Sequence, residues 1–164
     1  MEIDSVGEIV RVHGRERPDQ IALVLGDREM SWGELLERSS RVASGLAEAG
    51  VGSQERVAFL DKNGIEHFEV FFGAALLNAV CVDVNWRLAP PEVEYIVNDA
   101  HAKVLVVGPD FVPVLEAIAD RLSVSTILVI GGHERFQDYD EWVKAREPAD
   151  PGTPSASDDV AVQL

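Results

Sequence analysis

The amino-acid sequence predicts an α/β fold, a predominantly parallel sheet with helices on both faces. Three observations carry that prediction. Short β-branched runs recur at residues 56–60 (RVAFL), 80–84 (VCVDV), 103–107 (KVLVV) and 126–130 (TILVI). Apart from Asp83, these runs are near-continuously apolar, as strands buried on both faces are. Stretches with helical spacing separate them, the alternation expected of βα units. With 164 residues, 46% of them apolar and 26% charged, the chain can bury a sizeable core, which excludes disorder and a disulfide scaffold.

The elements follow in order. Val6, Ile9, Val10 and His13 share one helical face, so residues 6–15 read as a helix that Pro18 ends. Residues 20–25 and 28–31 flank the turn signal Gly26-Asp27 and read as a hairpin or bent strand. Ser31 followed by Glu34 is a capping box for the next helix. Its apolar face is Leu35, Val42, Leu46 and Ala49, and Gly50 with Gly52 stops it. Further helices are predicted at 65–78, at 91–100 with Pro91 near the first position, at 111–121 and, short and acidic, at 138–146.

This pattern divides the chain into an α/β N-terminal subdomain at 1–146, an exposed acidic and proline-rich linker at 147–159, and the start of a strand at 160–164 that continues into absent sequence. The helix face carrying Phe71 and Phe72 and the free edge of that last strand are expected to stay partly uncovered, favouring self-association of the isolated chain.

Charge narrows the partners. Twenty-nine acidic residues against fourteen Lys and Arg leave a net charge of −15, which repels phosphate backbones, so no nucleic acid is expected. The longest apolar stretch, residues 70–82, is too short for a bilayer, so no transmembrane segment is expected. Cys81 stands alone and can form no internal bridge, so nothing points to an oxidising compartment.

Several chemistries lack their signature. There is no Walker-type loop, no GxGxxG after a strand and no GxSxG elbow. The histidines at 13, 67, 101 and 133 are spread along the chain with Cys81 apart from them, so no metal site is assigned. Glu92 and Glu94 lie i,i+2 on a helix and do not share a face, which suits surface solvation.

Three places remain. Asp61, Lys62 and Asn63 lie beyond the carboxyl end of a predicted parallel strand, where open α/β sheets bind ligands; the alternative is a helix-capping turn using Asn63. Asn85, Trp86 and Arg87 hold the matching position one strand later, as an anion-pairing stack or as a surface turn packed by Trp86. His67, beside Phe68, reads as a satisfied structural histidine, and Cys81 as a small buried hydrophobe.

The motifs together resemble the start of the adenylate-forming (AMP-binding) enzymes, in particular the acyl-CoA synthetase or long-chain fatty-acid–CoA ligase branch. Met30-Ser31-Trp32-Gly33-Glu34-Leu35 is similar to the family's first motif, with Trp32 in place of a tyrosine. Gly73 through Ala79-Val80 to Asn85-Trp86-Arg87-Leu88 is similar to the second, and residues 92–99 to the helix after it. Asn78 stands where a glycine is common, and Asp83 where a proline often stands.

The resemblance implies a parent enzyme using ATP, Mg2+ and coenzyme A to convert a carboxylic, typically fatty, acid to acyl-AMP and then acyl-CoA. It places that enzyme in the cytoplasm or at a membrane periphery. It also implies that a strand like 160–164 leads into a phosphate loop and the remainder of the enzyme chain. No catalytic, cofactor-binding or metal residue is therefore assigned within these residues, and the chain by itself is expected to be inactive. The alternatives are a non-catalytic α/β binding module or a carboxylate-adenylating relative with a different acceptor.

Overall fold

The computed structural model describes residues 3–164. Helix α1 (Val6–Glu16) is capped by the Ser5 hydroxyl, which accepts from the Glu8 N–H. Strands β1 (Ile21–Leu25) and β2 (Arg28–Ser31) form a separate antiparallel hairpin. Ser31 then caps α2 (Trp32–Glu48) through the expected reciprocal box: its hydroxyl accepts from the Glu34 N–H at 3.3 Å, while the Glu34 carboxylate accepts from the Ser31 N–H at 2.8 Å.

From there strands and helices alternate. They are β3 (Arg56–Leu60), α3 (Ile65–Leu76), β4 (Val80–Asp83), α4 (Pro90–Asp99), β5 (Val104–Val107), α5 (Val112–Ile118), β6 (Thr126–Val129), β7 (Gln137–Asp138), α6 (Tyr139–Lys144) and β8 (Val162–Gln163). The last six strands make one sheet in the order β7-β6-β5-β3-β4-β8, with every neighbouring pair parallel. The predicted fold class is the observed one.

Alternation along the strands builds two cores. Val57, Phe59, Cys81, Val104, Val106 and Leu128 face a layer formed by α1, α2, α3 and α6. Ala58, Leu60, Val82, Leu105, Val107 and Val129 face α4 and α5.

Three helices end in the same way. The N–H of Val51 reaches Leu46 O, that of Ala79 reaches Ala74 O, and that of Ala102 reaches Val97 O, each a Schellman closure. Such a closure needs a left-handed residue just before the donor. Gly50 (φ +84°), Asn78 (φ +55°) and His101 (φ +53°) supply it. Asn tolerates that conformation, which is why it can stand where glycine is common.

Two expectations need correction. The helix expected at 111–121 is broken into a 3-10 turn at Pro109–Phe111, α5, and a second 3-10 turn at Ala119–Arg121. Pro113, having no N–H to donate, sits within the first turn of α5, where none is required, and the regular helix starts only at Val112. Phe72 is buried and Phe71 half-buried against the first core, so the large exposed apolar side chains lie elsewhere, at Ile3, at Ile21, Val24 and Leu25 of the hairpin and at Tyr95, Val160 and Leu164.

Residues 147–159 contain no helix or strand and are mostly exposed, yet they are tied down at three points. Asp150 receives two hydrogen bonds from the Arg11 guanidinium, both 2.8 Å. Glu147 O accepts from the Ser44 hydroxyl, and Asp159 accepts from the Asn78 amide at 2.7 Å. This strap delivers β8 to the edge of β4.

Candidate functional site

Strand order locates the site. The chain leaves β3 towards β4 on one side, and leaves β5 towards β6 on the other, so the outgoing loops diverge between β3 and β5. Open parallel sheets bind ligands in such a crevice, beyond the carboxyl ends of the strands.

The floor of the crevice is Gly108, directly after β5. A Cβ there would come within 2.0 Å of the Asp61 carboxyl, so only glycine lets Asp61 lie across the strand end. Burial pushes the Asp61 carboxyl above its usual range, against the opposing hydrogen bond from the Lys62 N–H. Lys62 reaches over the rim to Asp110 at 2.9 Å, which holds its ammonium more firmly protonated. The same ammonium lies 5.6 Å from the Trp86 ring centroid and 5.9 Å from that of Phe111. Arg87 also lies over the indole, its guanidinium carbon 4.1 Å from the centroid.

The structure thus brings together two of the three places singled out in the sequence, and adds Gly108, Asp110 and Phe111. Asn85 accepts from the Arg87 N–H and shapes the turn that sets this stack. Asn63 does not join it. The capping role considered for Asn63 falls to Gly64, which is the N-cap of α3 and makes no side-chain cap bond. The arrangement offers a flat aromatic surface with two cations near it, of which Arg87 has no carboxylate within ion-pair distance among the described residues.

A second cluster lies beside β4, on its α3 face. Cys81 and Asp83 are two residues apart on the strand and so point to the same side. His67 of α3 lies over them, with Nε2 2.9 Å from Asp83 Oδ1. The Cys81 thiol donates to the same oxygen at 3.4 Å. The His67 hydrogen bond holds the Asp83 carboxyl below its usual range despite burial, while burial and the nearby carboxylate push the thiol well up. Sequence spacing could not bring these residues together, because 16 positions separate His67 from Asp83. The one available signal was the i,i+2 pair on a predicted strand.

The remaining candidates stay apart. His13 packs edge-on against Trp32 with centroids 4.8 Å apart, and His133 pairs with Glu116 at 3.3 Å. His101 is the exposed left-handed residue after α4. Glu92 is more than a solvating residue: its carboxylate accepts from the Ala89 N–H at 2.8 Å and closes the first turn of α4. Glu94 pairs with Arg121 at 2.8 Å. Among the described residues no helix is long and apolar enough to cross a membrane.

Comparison with known proteins agrees with this layout. A fatty acid–[acyl-carrier-protein] ligase of Streptomyces coeruleorubidus is 28% identical over 161 residues, which is 98% of this chain and 30% of the relative. A long-chain-fatty-acid–CoA ligase of Thermus thermophilus is 35% identical over 122 residues, 74% of this chain and 23% of the relative. The crystal structure of an anthranilate CoA ligase in complex with anthranoyl-AMP superposes with a TM-score of 0.89 at 30% identity, covering 96% of this chain and 30% of that one. The chain therefore spans less than a third of the length of these relatives. The family model described as AMP-binding enzyme matches residues 10–164, nearly the whole sequence. This chain belongs to the AMP-binding enzyme family.

Proposed function

We propose that these residues are the N-terminal portion of an ATP-dependent acyl-CoA synthetase of the fatty-acid–CoA ligase type. In that reading a carboxylate oxygen attacks the α-phosphorus of ATP, pyrophosphate leaves, and the thiol of coenzyme A then displaces AMP from the acyl-adenylate. The observation that carries it is the family match across residues 10–164. The 35% identity to a long-chain-fatty-acid–CoA ligase supports the fatty-acid branch. The parent enzyme works in the cytoplasm or at a membrane periphery, with residues 1–146 as a subdomain and β8 continuing into the rest of the enzyme.

The switch-point crevice does not fit the phosphates of ATP. The Asp61 carboxyl fills the space above Gly108, and Asp110 already engages Lys62. A like-charged triphosphate would meet two carboxylates there, so no adenylation step is assigned to these side chains. We accordingly expect the 164-residue chain alone neither to make acyl-AMP nor to bind ATP tightly.

A second acceptor has support of its own, since one relative is named for transfer to an acyl carrier protein. The test is to assay the full-length parent and the 164-residue chain for pyrophosphate release with ATP, Mg2+ and fatty and aromatic acids. Coenzyme A or carrier protein is then added as acceptor. Activity confined to the parent, with fatty acids and CoA, is the expected result. Acyl-AMP formation by the short chain, free of full-length contaminant, would overturn the division of labour. Exclusive transfer to carrier protein would replace the acceptor, and a parent that adenylates nothing would leave a binding module.

A further inference from the structure

We propose that His67, Cys81 and Asp83 form a binding site for one zinc-class divalent ion, clamping α3 to β4 beside the switch-point crevice. The site is distinct from the adenylation chemistry proposed above and does not depend on it.

Geometry carries the proposal. The three ligand atoms lie within 4.8 Å of one another. A tetrahedral zinc bound by imidazole, thiolate and carboxylate at ordinary bond lengths sets N···O near about 3.3 Å and S···O near about 3.5 Å. The observed Nε2···Oδ1 and Sγ···Oδ1 separations are 2.9 and 3.4 Å. Binding would spread the imidazole from the carboxylate by a few tenths of an ångström, and would set Nε2 and Sγ, which lie within 4.8 Å of each other, about 3.6 Å apart. Nitrogen, sulfur and oxygen together suit zinc among the common metals, and three protein ligands leave a fourth position open.

Charge points the same way. No Lys or Arg pairs with Asp83 among the described residues, whose hydrogen-bond partners are the imidazole and a weak thiol donor. With Cys81 as thiolate the trio carries two negative charges, which a dication balances. As the S–Zn and N–Zn bonds form, the S–H bond breaks and its proton leaves to solvent, while the proton that Nε2 donates to Asp83 is lost to solvent and the neutral imidazole keeps its proton on Nδ1. The surroundings suit a metal as well. The Phe59 and Phe68 rings lie 4.9 and 5.4 Å from the imidazole, and Cys81 is fully buried. The Asp83 side chain is 31% exposed, which leaves an entry path. His67 Nδ1 is buried without a partner, so Nε2 is the only ring nitrogen engaged.

The sequence makes the test unusually clean, because Cys81 is the chain's one cysteine. The chelator-stripped 164-residue chain is titrated with Co2+, and thiolate-to-cobalt charge-transfer absorption is recorded. The expected result is a band that saturates at one equivalent, disappears when Zn2+ is added, and is lost on unfolding in urea. Cys81→Ala should lack the band while keeping its circular dichroism. His67→Ala should weaken Zn2+ binding by more than the roughly 10–100-fold that loss of an outer-shell partner costs. Zn2+ should also raise the Tm of the wild-type chain and not that of Cys81→Ala. A folded chain with no thiolate band at stoichiometric Co2+ would overturn the proposal. So would a band that survives unfolding, or one whose affinity His67→Ala leaves unchanged.

Discussion

The two helix layers that cover the sheet are held in different ways. Every buried polar or charged side chain described, namely Arg11, Ser39, Ser40, Glu69 and Asn78, belongs to the layer of α1, α2 and α3 or to the turn that ends α3. The core against α4 and α5 holds only apolar side chains. In the first layer Glu69, 2% exposed, accepts from Arg38 at 2.8 and 3.0 Å and from the Tyr139 hydroxyl at 2.8 Å. One carboxylate thus joins α2, α3 and α6. Burial, reinforced by that carboxylate, pushes the Tyr139 hydroxyl well above its ordinary range, so it stays protonated and remains the donor. Apolar packing alone holds α4 and α5 by area and shape. The buried polar groups add direction, because each tolerates only one arrangement of its partners.

The difference can be broken from the sheet outward. Val106 faces the braced layer and Leu105 the dry one, both essentially inaccessible. Val106→Asp and Leu105→Asp should each cost about 4 kcal/mol in urea melts by burying an unpaired charge. A Val106 variant milder by more than about 1.5 kcal/mol would mean that the braced layer rearranges to solvate it. Next in size is Leu115→Ala in the dry layer, expected at about 3 kcal/mol from lost burial and the cavity left behind.

Glu69→Ala should cost about 2–3 kcal/mol, somewhat below the figure for a fully buried pair, because Arg38 is 22% exposed and regains some water. The sharper measurement is the triple change Arg38→Met, Glu69→Leu and Tyr139→Phe. It should cost less than Glu69→Ala alone, since removing all partners leaves no orphan. A triple variant worse than the single one would show that the network contributes stability beyond directing the packing.

Acid should loosen the braced layer first. Burial raises the Asp150 carboxyl, but the Arg11 hydrogen bonds, the Gly152 N–H and the Arg11 charge outweigh it and hold it below its usual value. A carboxyl lowered on folding contributes stability that is complete above its unfolded value, near about 3.9, and is lost as pH falls through its folded value. Asp150→Asn should therefore lower Tm at pH 7, and the gap to wild type should close as pH drops below about 4. A gap that stays constant down to acid would remove the ion pair from the account of the strap. Smallest is Ser31→Ala, expected at about 1 kcal/mol through the lost cap. A change below about 0.3 kcal/mol would assign that junction to Trp32 packing instead.

The capping box is also where sequence reading was most secure, since Ser31 and Glu34 are three residues apart and interact through one helical turn. The parallel strands were legible for a similar reason: a run buried on both faces is apolar at every position, whatever its neighbours. The two-residue β7 left no pattern, because periodicity needs more positions than it has. The helix expected at 111–121 failed at its ends, where two prolines and a short connection favour 3-10 turns.

The site divides along the same line. Local spacing determined that Asp61-Lys62 and Trp86-Arg87 follow strands, and that Cys81 and Asp83 share a strand face. Strand order decided that Lys62 meets Trp86 and Phe111, and the packing of α3 on β4 decided that His67 meets Cys81 and Asp83. Arg11 finds Asp150 across 139 residues of sequence because the strap returns past α1. Spacing of two, three or four residues is enforced by backbone geometry within one element, so it can be read from sequence. Contact between elements depends on crossover direction and register, which the whole core sets at once, so only the tertiary structure decided it.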